Sequence, residues 1–257
     1  MMNLKEITSL KNTKIKWLKK LSQKKHRRQN NQFIVENLTI IYDALKSGYD
    51  FQDLFVTKDF VDRHQEKFEY LQEKSKVPEY YLIDEELNKY YSQLDTPSGI
   101  TAVYEPKPSS LDQAKSVVYL NGIKDPGNMG TIMRSALAFG VSNVVLDATC
   151  VDIYNPKVIN AAKDAIFKLN IIEDSLGVWL KKNKGVLPIY VANSSDGISL
   201  SEVKSGKRFC LVLGSESHGV SEEIVQLADK NIRIEITGDI ESLNVSSAAA
   251  ILLYGLK

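Results

Sequence analysis

The residues best suited to chemistry lie in three short stretches of the second half of the chain. The first is Asp125–Ser135, DPGNMGTIMRS. Pro126 and Gly127 mark a turn, and Gly127 and Gly130 let a ligand approach the backbone closely. Asn128 is placed to cap a helix beginning near residue 129. On that helix Met129, Ile132, Met133, Ala136, Leu137 and Gly140 form an apolar stripe. Arg134 lies about 100° away from Met133, between the short side chains of Thr131 and Ala138. A guanidinium on such a flank, near a helix N-terminus, suits an anion such as a phosphate. The second stretch, LVLGSESHGVSEEI, ends a buried strand at Gly214 and puts Glu216 in a loop before Gly219, where a carboxylate could orient a cation or a hydroxyl. Ser221, Glu222 and Glu223 suit the start of the next helix. The third, IRIEITGDIESLNVSSAAAILLYGLK, has a strand, a loop at Gly238–Asp239 and a helix capped by Ser242, Asn244 or Ser246. Taken singly, the stretches fit ordinary structure better: a surface arginine, a solvated loop charge, a C-terminal helix docked on its core. Neither the phosphate-loop pattern ending in Lys-Ser/Thr nor the Gly-x-Gly-x-x-Gly fingerprint of dinucleotide folds occurs in them.

The elements that would carry these stretches alternate. Strand candidates SVVYLNG, NVVLD, PIYVAN, FCLVLG and IRIEI are separated by helical patterns near 128–140, 155–166, 175–182 and 221–228, with a last helix near 246–256. Such alternation predicts an α/β fold with a parallel sheet covered on both faces. Ligands of such sheets sit outside the carboxyl ends of the strands, where NGIKDPGN, ANSSDG and GSESHG fall. Before this region, GITAVY runs into the linker-like YEPKPSSLDQAK, so a boundary is placed near residue 107 and the domains at 1–106 and 107–257. The N-terminal part reads as a small α/β module: a helix over about 9–28, FIVE, the helix LTIIYDALKSG stopped by Gly48, DLFVT, a helix over about 59–75, YYLID, a helix over about 84–93 and GITAVY. It shows no catalytic constellation.

Charge separates the two parts. Residues 1–30 hold ten Lys/Arg against Glu6 alone, whereas the whole chain is only +1. A basic segment of this kind suits the phosphate backbone of a nucleic acid, and Lys24, Lys25, Arg27 and Arg28 are its expected contacts. Leu10, Ile15, Trp17, Leu18 and Leu21 between the charges are expected to pack on the domain behind. No apolar run is long enough to span a membrane and the N-terminus lacks the apolar core of a signal peptide. Cys150 and Cys210 sit in or beside apolar stretches and read as free thiols in a reducing cytoplasm. His26, His64 and His218 have no metal-ligand spacing, so no metal is expected.

In this order, the three stretches resemble the motifs of the SpoU (TrmH) family of RNA ribose 2′-O-methyltransferases, in the SPOUT superfamily: DPGNMGTIMRSALAFGV the first, LVLGSESHGVS the second, ESLNVSSAAAILLY the third. YNPKVINAAKDAIFKLNI is also similar to the family, and the N-terminal ITSLKNTKIKWLKKLSQKKHRRQNNQFIVE together with TPSGITAVY resembles the substrate-binding domain of many rRNA-modifying members. Nearly the whole chain is thus covered.

The resemblance implies a C-terminal α/β trefoil knot binding S-adenosylmethionine, a homodimer formed through that domain, and an N-terminal RNA-binding domain like certain small ribosomal proteins. It implies methyl transfer to a ribose 2′-hydroxyl of structured RNA, with 23S rRNA the expected substrate, in the cytoplasm; tRNA, or a non-catalytic RNA-binding factor keeping the fold, are the alternatives. Arg134 matches the motif-one arginine often assigned as general base. A guanidinium stays protonated, so a clamp on phosphate and developing alkoxide is the physically favoured role. Asn128, Glu216, Ser242 and Asn244 match the other polar motif positions, Glu216 as an orienter of the arginine or of loop backbone. Gly214, Ile234, Leu243 and Asn193 match cofactor-contact positions. The chain departs from the family pattern at Glu235, where proline is usual beside the cofactor, at Asn160–Asp164, which replaces Arg-Ala-Ser-x-Gly, and at Asn37, where glycine is usual.

Overall fold

A computed structural model describes residues 4–77, 79–175, 177–194, 196–203 and 208–257. The chain divides into two compact units, Met1–Lys107 with Tyr154–Asn160, and Pro108–Ile153 with Ala161–Lys257.

The first unit begins with β1 (Leu4–Glu6), α1 (Thr13–Lys20), α2 (Lys24–Asn30), β2 (Phe33–Val35) and α3 (Leu38–Lys46). It continues through β3 (Asp53–Thr57), α4 (Lys58–Arg63), α5 (Gln65–Lys74), β4 (Tyr80–Ile83), α6 (Glu85–Tyr91) and β5 (Ile100–Tyr104). Its five strands run in the order β1-β4-β3-β5-β2. The pairs β1–β4 and β3–β4 are parallel, and β5 is antiparallel to both β3 and β2. Ile15, Leu18 and Leu21 are buried against Phe55, Leu87, Tyr91 and Val103, with Trp17 partly buried beside them. Leu10, expected in that layer, stays exposed.

The expected helix over 9–28 is two helices. Leu21 closes α1, and the side chain of Arg27 turns back to donate from Nη1 to the carbonyls of Leu21 (2.9 Å) and Ser22 (2.7 Å). A cation on the last carbonyls of a helix satisfies acceptors that have no partner within the helix. The expected helix over 59–75 likewise splits into α4 and α5 at His64. Asn37, the departure from glycine, caps α3: its side chain accepts from the amides of Thr39 and Ile40.

The second unit contains β6 (Val117–Asn121), α7 (Pro126–Ala138) and β7 (Asn143–Asp147). Next is α8 (Pro156–Ala162), which the unit boundary crosses. The unit goes on with α9 (Ala165–Lys168), β8 (Asn170–Asp174) and α10 (Val178–Asn183). Then come β9 (Ile189–Ala192), β10 (Ile198–Ser199), a 3-10 turn at Leu200–Glu202, β11 (Cys210–Gly214), α11 (Glu222–Val225), β12 (Lys230–Arg233) and α12 (Val245–Gly255). The seven strands run β10-β12-β9-β11-β6-β7-β8, and every pair is parallel. The central strands β6, β7 and β11 are buried along nearly their whole length, as a sheet covered on both faces requires. The expected α/β fold is therefore present.

Three strands escape the sequence pattern: β1, β8 and β10. All three are edge strands. An edge strand is buried on fewer sides, so its apolar signal is weak; in β8 only Asp174 of the five residues is buried. β12 also ends at Arg233, earlier than the IRIEI reading. Glu235 thus lies beyond the strand, outside the sheet position expected beside the cofactor.

Candidate active site

Three helix and strand ends build the site within the second unit. The first is the start of α7. Asp125, not Asn128, is its N-cap: the Asp125 carboxylate accepts from the Asn128 amide at 2.7 Å, and Pro126 occupies the first turn. The helix thus starts three residues before the position read from sequence, because an aspartate preceding Pro-Gly caps as well as the asparagine after it. The Asn128 side chain is thereby released for other work. Met129, Ile132, Met133 and Ala136 are buried, whereas Thr131 and Arg134 are exposed on the flank between them. Arg134 therefore projects from the side that the periodicity assigns to it. Among the described residues its guanidinium has neither a hydrogen bond nor an ion pair.

The second is the turn after β11. The chain leaves Gly214, folds back, and pairs Ser215 with Gly219: Ser215 N–H donates to the Gly219 carbonyl at 3.0 Å, and Gly219 N–H to the Ser215 carbonyl at 2.9 Å. A Cβ on Gly214 would lie 2.1 Å from the Gly219 carbonyl carbon and 2.2 Å from the Val220 nitrogen. Glycine is required there by space. Gly219 is required by its backbone, at φ +64°.

The third is the start of α12. Asn244, one of the three cap candidates, is the N-cap, and its Oδ1 accepts from Ser246 N (2.9 Å), Ser246 Oγ (2.6 Å) and Ser247 N (3.4 Å).

Asn128 joins the three ends. Its Nδ2 donates to Glu216 Oε1, and its Oδ1 accepts from Asn244 Nδ2 at 3.0 Å. A carboxylate can only accept, so Glu216 orients the Asn128 amide, which orients the Asn244 amide, which leaves Asn244 Oδ1 facing the helix. Glu216 does not pair with Arg134, contrary to one of the roles expected for it; it acts through Asn128.

Beside this relay lies a cavity of about 630 Å³, a size typical of small-molecule sites. Gly214, Ile234, Leu243 and Asn193, the four expected cofactor contacts, all line it, as do Glu216, Ser242 and Asn244. Asn193 holds its own loop as well: its N–H donates to the Ile232 carbonyl at 3.0 Å and its Oδ1 accepts from Asp196 N at 3.1 Å. The sequence reading missed Val191, Ile236, Val220 and Ala248 in the lining. Their only sequence signal is position, near a strand end or inside the small-residue run of α12. A lining that mixes apolar side chains with Asn193, Ser242, Asn244 and glycine backbone suits a ligand that has both an apolar and a polar part.

The thiols take no part. Burial and the nearby Asp147 carboxylate push Cys150 up to about 12, and burial raises Cys210 as well. Both stay protonated at neutral pH and are poor nucleophiles.

The profile of the SpoU rRNA methylase family matches residues 115–254, and that of an MRM3-like substrate-binding domain matches residues 12–102. The chain belongs to the SpoU rRNA methylase family. It is an S-adenosylmethionine-dependent RNA methyltransferase. Over 262 residues it is 29% identical to the 23S rRNA (guanosine(2553)-2′-O)-methyltransferase RlmP of Bacillus subtilis, covering 99% of this chain and 100% of that protein. To the mitochondrial rRNA methyltransferase 3 of Mus musculus it is 28% identical over 89% of this chain and 68% of that protein. Among solved structures, an RNA 2′-O ribose methyltransferase aligns with a TM-score of 0.80 at 26% identity over 98% of this chain and 97% of that one. An rRNA methyltransferase from Sinorhizobium meliloti shares the fold with a TM-score of 0.84 at 24% identity, over 98% of this chain and 97% of that one.

In the substrate-binding unit of this SpoU methylase, Lys24, Lys25 and Arg28 are exposed on α2, as expected of RNA contacts. Arg27 is different: only 5% exposed, it braces the α1–α2 corner through the carbonyls described above. Lys14 is also engaged, 2.9 Å from Asp53 Oδ1 and 4.6 Å from the centre of the Tyr81 ring. No described helix is long and apolar enough to cross a membrane.

Proposed function

We propose that this enzyme transfers the methyl group of S-adenosylmethionine to a ribose 2′-hydroxyl of 23S rRNA in the cytoplasm. The observation that carries the reading is the relay Glu216–Asn128–Asn244 beside the Gly214 cavity, which joins all three family motifs. The cofactor would be held by Gly214, Asn193, Ile234, Leu243 and Ile236; a cavity lined by both apolar and polar groups fits a molecule with a nucleoside and an amino-acid part. When bound, S-adenosylmethionine supplies a methyl group activated by a positively charged sulfur.

The residues of the chain do the rest. A ribose 2′-hydroxyl is a weak nucleophile, and the site must orient it and stabilise the charge that develops on its oxygen as its proton passes to a phosphate oxygen or water. Arg134, exposed and without a partner among the described residues, is the group for this: its planar fork clamps a neighbouring phosphate and the 2′-oxygen together, and it remains a cation throughout. Asn128 and Glu216 keep the start of α7 and the loop after β11 in one arrangement. Ser242, on the cavity wall, offers a hydroxyl to cofactor or ribose. Lys24, Lys25 and Arg28 supply phosphate-directed affinity, and Arg27 sets the helix that carries them.

The chain acts as a homodimer through its C-terminal domain, in a trefoil-knotted fold. Ile251 and Tyr254 on α12 are 41% and 71% exposed, and Tyr254 meets the Phe139 ring edge-on at 5.8 Å. A second copy covering this apolar strip would remove it from water.

The test is methylation of rRNA with isotopically labelled S-adenosylmethionine, followed by site-resolved mapping of 2′-O-methylation in cells with and without the gene. Loss of one 23S position on deletion is the expected result. Loss of a tRNA mark instead, or failure of the protein to bind S-adenosylmethionine, would overturn the substrate and the activity respectively.

A further inference from the structure

One residue outside the cavity lining reaches the loop that lines it. Asn121 is the last residue of β6. Its Nδ2 donates to Asp147 Oδ2 at the end of β7, and its Oδ1 accepts from the Ser221 N–H at 2.8 Å. Asp147 is 9% exposed, and its other oxygen accepts from Thr149 N (2.7 Å) and Thr149 Oγ1 (2.6 Å). The orientation of the Asn121 amide is forced. A carboxylate accepts and a backbone N–H donates, so only one of the two amide orientations satisfies both neighbours.

The loop that ends at Ser221 begins at Gly214 and closes on itself through the Ser215–Gly219 pair. At its start it is continuous with β11, packed tightly at Gly214. At its far end the backbone passes Gly219 and Val220, and the Asn121 amide holds the next peptide. Residues 215–220 between these points all line the cavity, and Glu216 among them anchors the relay through Asn128. We infer that Asn121 is a positioning residue for the cofactor loop: oriented by Asp147, it fixes the far end of residues 215–220 to the sheet and so sets the shape of the cofactor cavity. The inference rests on the reading of that cavity as the S-adenosylmethionine site.

The hydrogen-bond pattern can be exchanged between the two residues. In Asn121→Asp, two carboxylates face each other and the bond to Asp147 is lost. In the reciprocal double variant Asn121→Asp/Asp147→Asn, the carboxylate introduced at position 121 accepts from both Ser221 and the new amide, whose oxygen still accepts from Thr149. All four hydrogen bonds return with the donor reversed.

The full-length wild type, Asn121→Ala, Asn121→Asp and the double variant are titrated with S-adenosylmethionine by calorimetry, and exchange of the Ser221 amide hydrogen is followed in each. Loss of the bond to Ser221 in Asn121→Ala, and of the Asp147 bond that orients residue 121 in Asn121→Asp, predicts about tenfold weaker binding in each single variant. The KM for S-adenosylmethionine should rise similarly, with kcat within about twofold. Ser221 exchange should accelerate, and the double variant should return to within about threefold of wild type in every measure. Wild-type affinity in Asn121→Ala, or a double variant as weak as Asn121→Asp, overturns the proposal; a lowered melting temperature with unchanged affinity would mean that Asn121 serves the fold alone. If the wild type itself binds no S-adenosylmethionine, the cavity reading fails, while Ser221 exchange still reports whether Asn121 holds the loop.

Discussion

The two units handle their polar groups in opposite ways. In the methylase unit the functional side chains converge. Asn128, Glu216 and Asn244 come from three elements far apart in sequence, and each amide is oriented by the next. In the substrate-binding unit, Lys24, Lys25 and Arg28 stand exposed on one short helix, whereas the buried polar groups Arg27 and Glu36 serve the fold. The difference follows from the chemistry. Methyl transfer demands reacting groups held within fractions of an ångström, which only a preorganised network provides. Attraction to a phosphate backbone demands charge on a surface and tolerates motion of the side chain that carries it.

The largest expected effect is at Arg134. Arg134→Ala should lower kcat by about 10²–10³-fold, the range for removing one donor to a developing oxyanion. Its S-adenosylmethionine affinity should stay within about twofold of wild type, because the residue is outside the cavity lining. Arg134→Lys keeps the charge but loses the fork; turnover near the wild-type rate in that variant would exclude bidentate clamping.

Gly214→Ala comes next. The added methyl would meet the backbone of Gly219 and Val220 at 2.1–2.3 Å, and backbone cannot give way as a side-chain tip can. The loop must move, at a cost of roughly 1–3 kcal/mol typical of overpacking. Calorimetry should show S-adenosylmethionine binding weakened on the order of tenfold or more, with RNA binding unaffected. Equal loss of both would mean that the two units do not divide the work as described.

The same convergence explains what the sequence could and could not disclose. The central strands β6, β7, β9 and β11 are apolar on both faces and announce themselves as short buried runs. The stripe of α7 placed Arg134 on its exposed flank correctly. Cap identity at α7 was not legible: Asp125 and Asn128 are both competent, and in the fold Asn128 instead donates from Nδ2 to Glu216 and accepts at Oδ1 from Asn244, 88 and 116 residues away in the chain. Asn121 was invisible for the same reason, since its partner Ser221 is 100 residues away. Arg27 looked like its neighbours because a basic run carries no sign of which side chain turns inward. Motif resemblance supplied the polar residues, but their hydrogen-bond order is a long-range fact.

That inward turn makes the comparison testable within one helix. Replacing Lys24, Lys25 and Arg28 by glutamine should weaken RNA binding and reduce the slope of log affinity against log salt by about 2–3, three lost phosphate contacts at roughly 0.7–0.9 each. Arg27→Ala should leave the slope unchanged and instead destabilise the substrate-binding unit by about 1–3 kcal/mol, because the carbonyls of Leu21 and Ser22 lose their donor. Filter binding at several salt concentrations and thermal denaturation separate the two. A reduced slope in Arg27→Ala would place that guanidinium on RNA after all.

The smallest effect expected is at Glu36, the buried carboxylate of the substrate-binding unit. Its Oε2 accepts from the Gln93 amide at 3.1 Å, while Oε1 has no hydrogen-bond partner among the described residues. Burial raises its pKa, opposed by hydrogen bonds from Ser92 and Gln93. The sign follows from linkage. A carboxyl whose pKa is higher in the folded state holds its proton more tightly there, so its contribution to stability is complete below the ordinary carboxylate range and is lost as pH rises through the folded value. Glu36→Gln keeps an oxygen for the Gln93 amide and carries no charge. It should therefore stabilise the protein at pH 7. Denaturant melts of wild type and variant should converge as pH falls toward the ordinary carboxylate range. A gain that persists unchanged at acid pH would locate the effect in packing rather than charge.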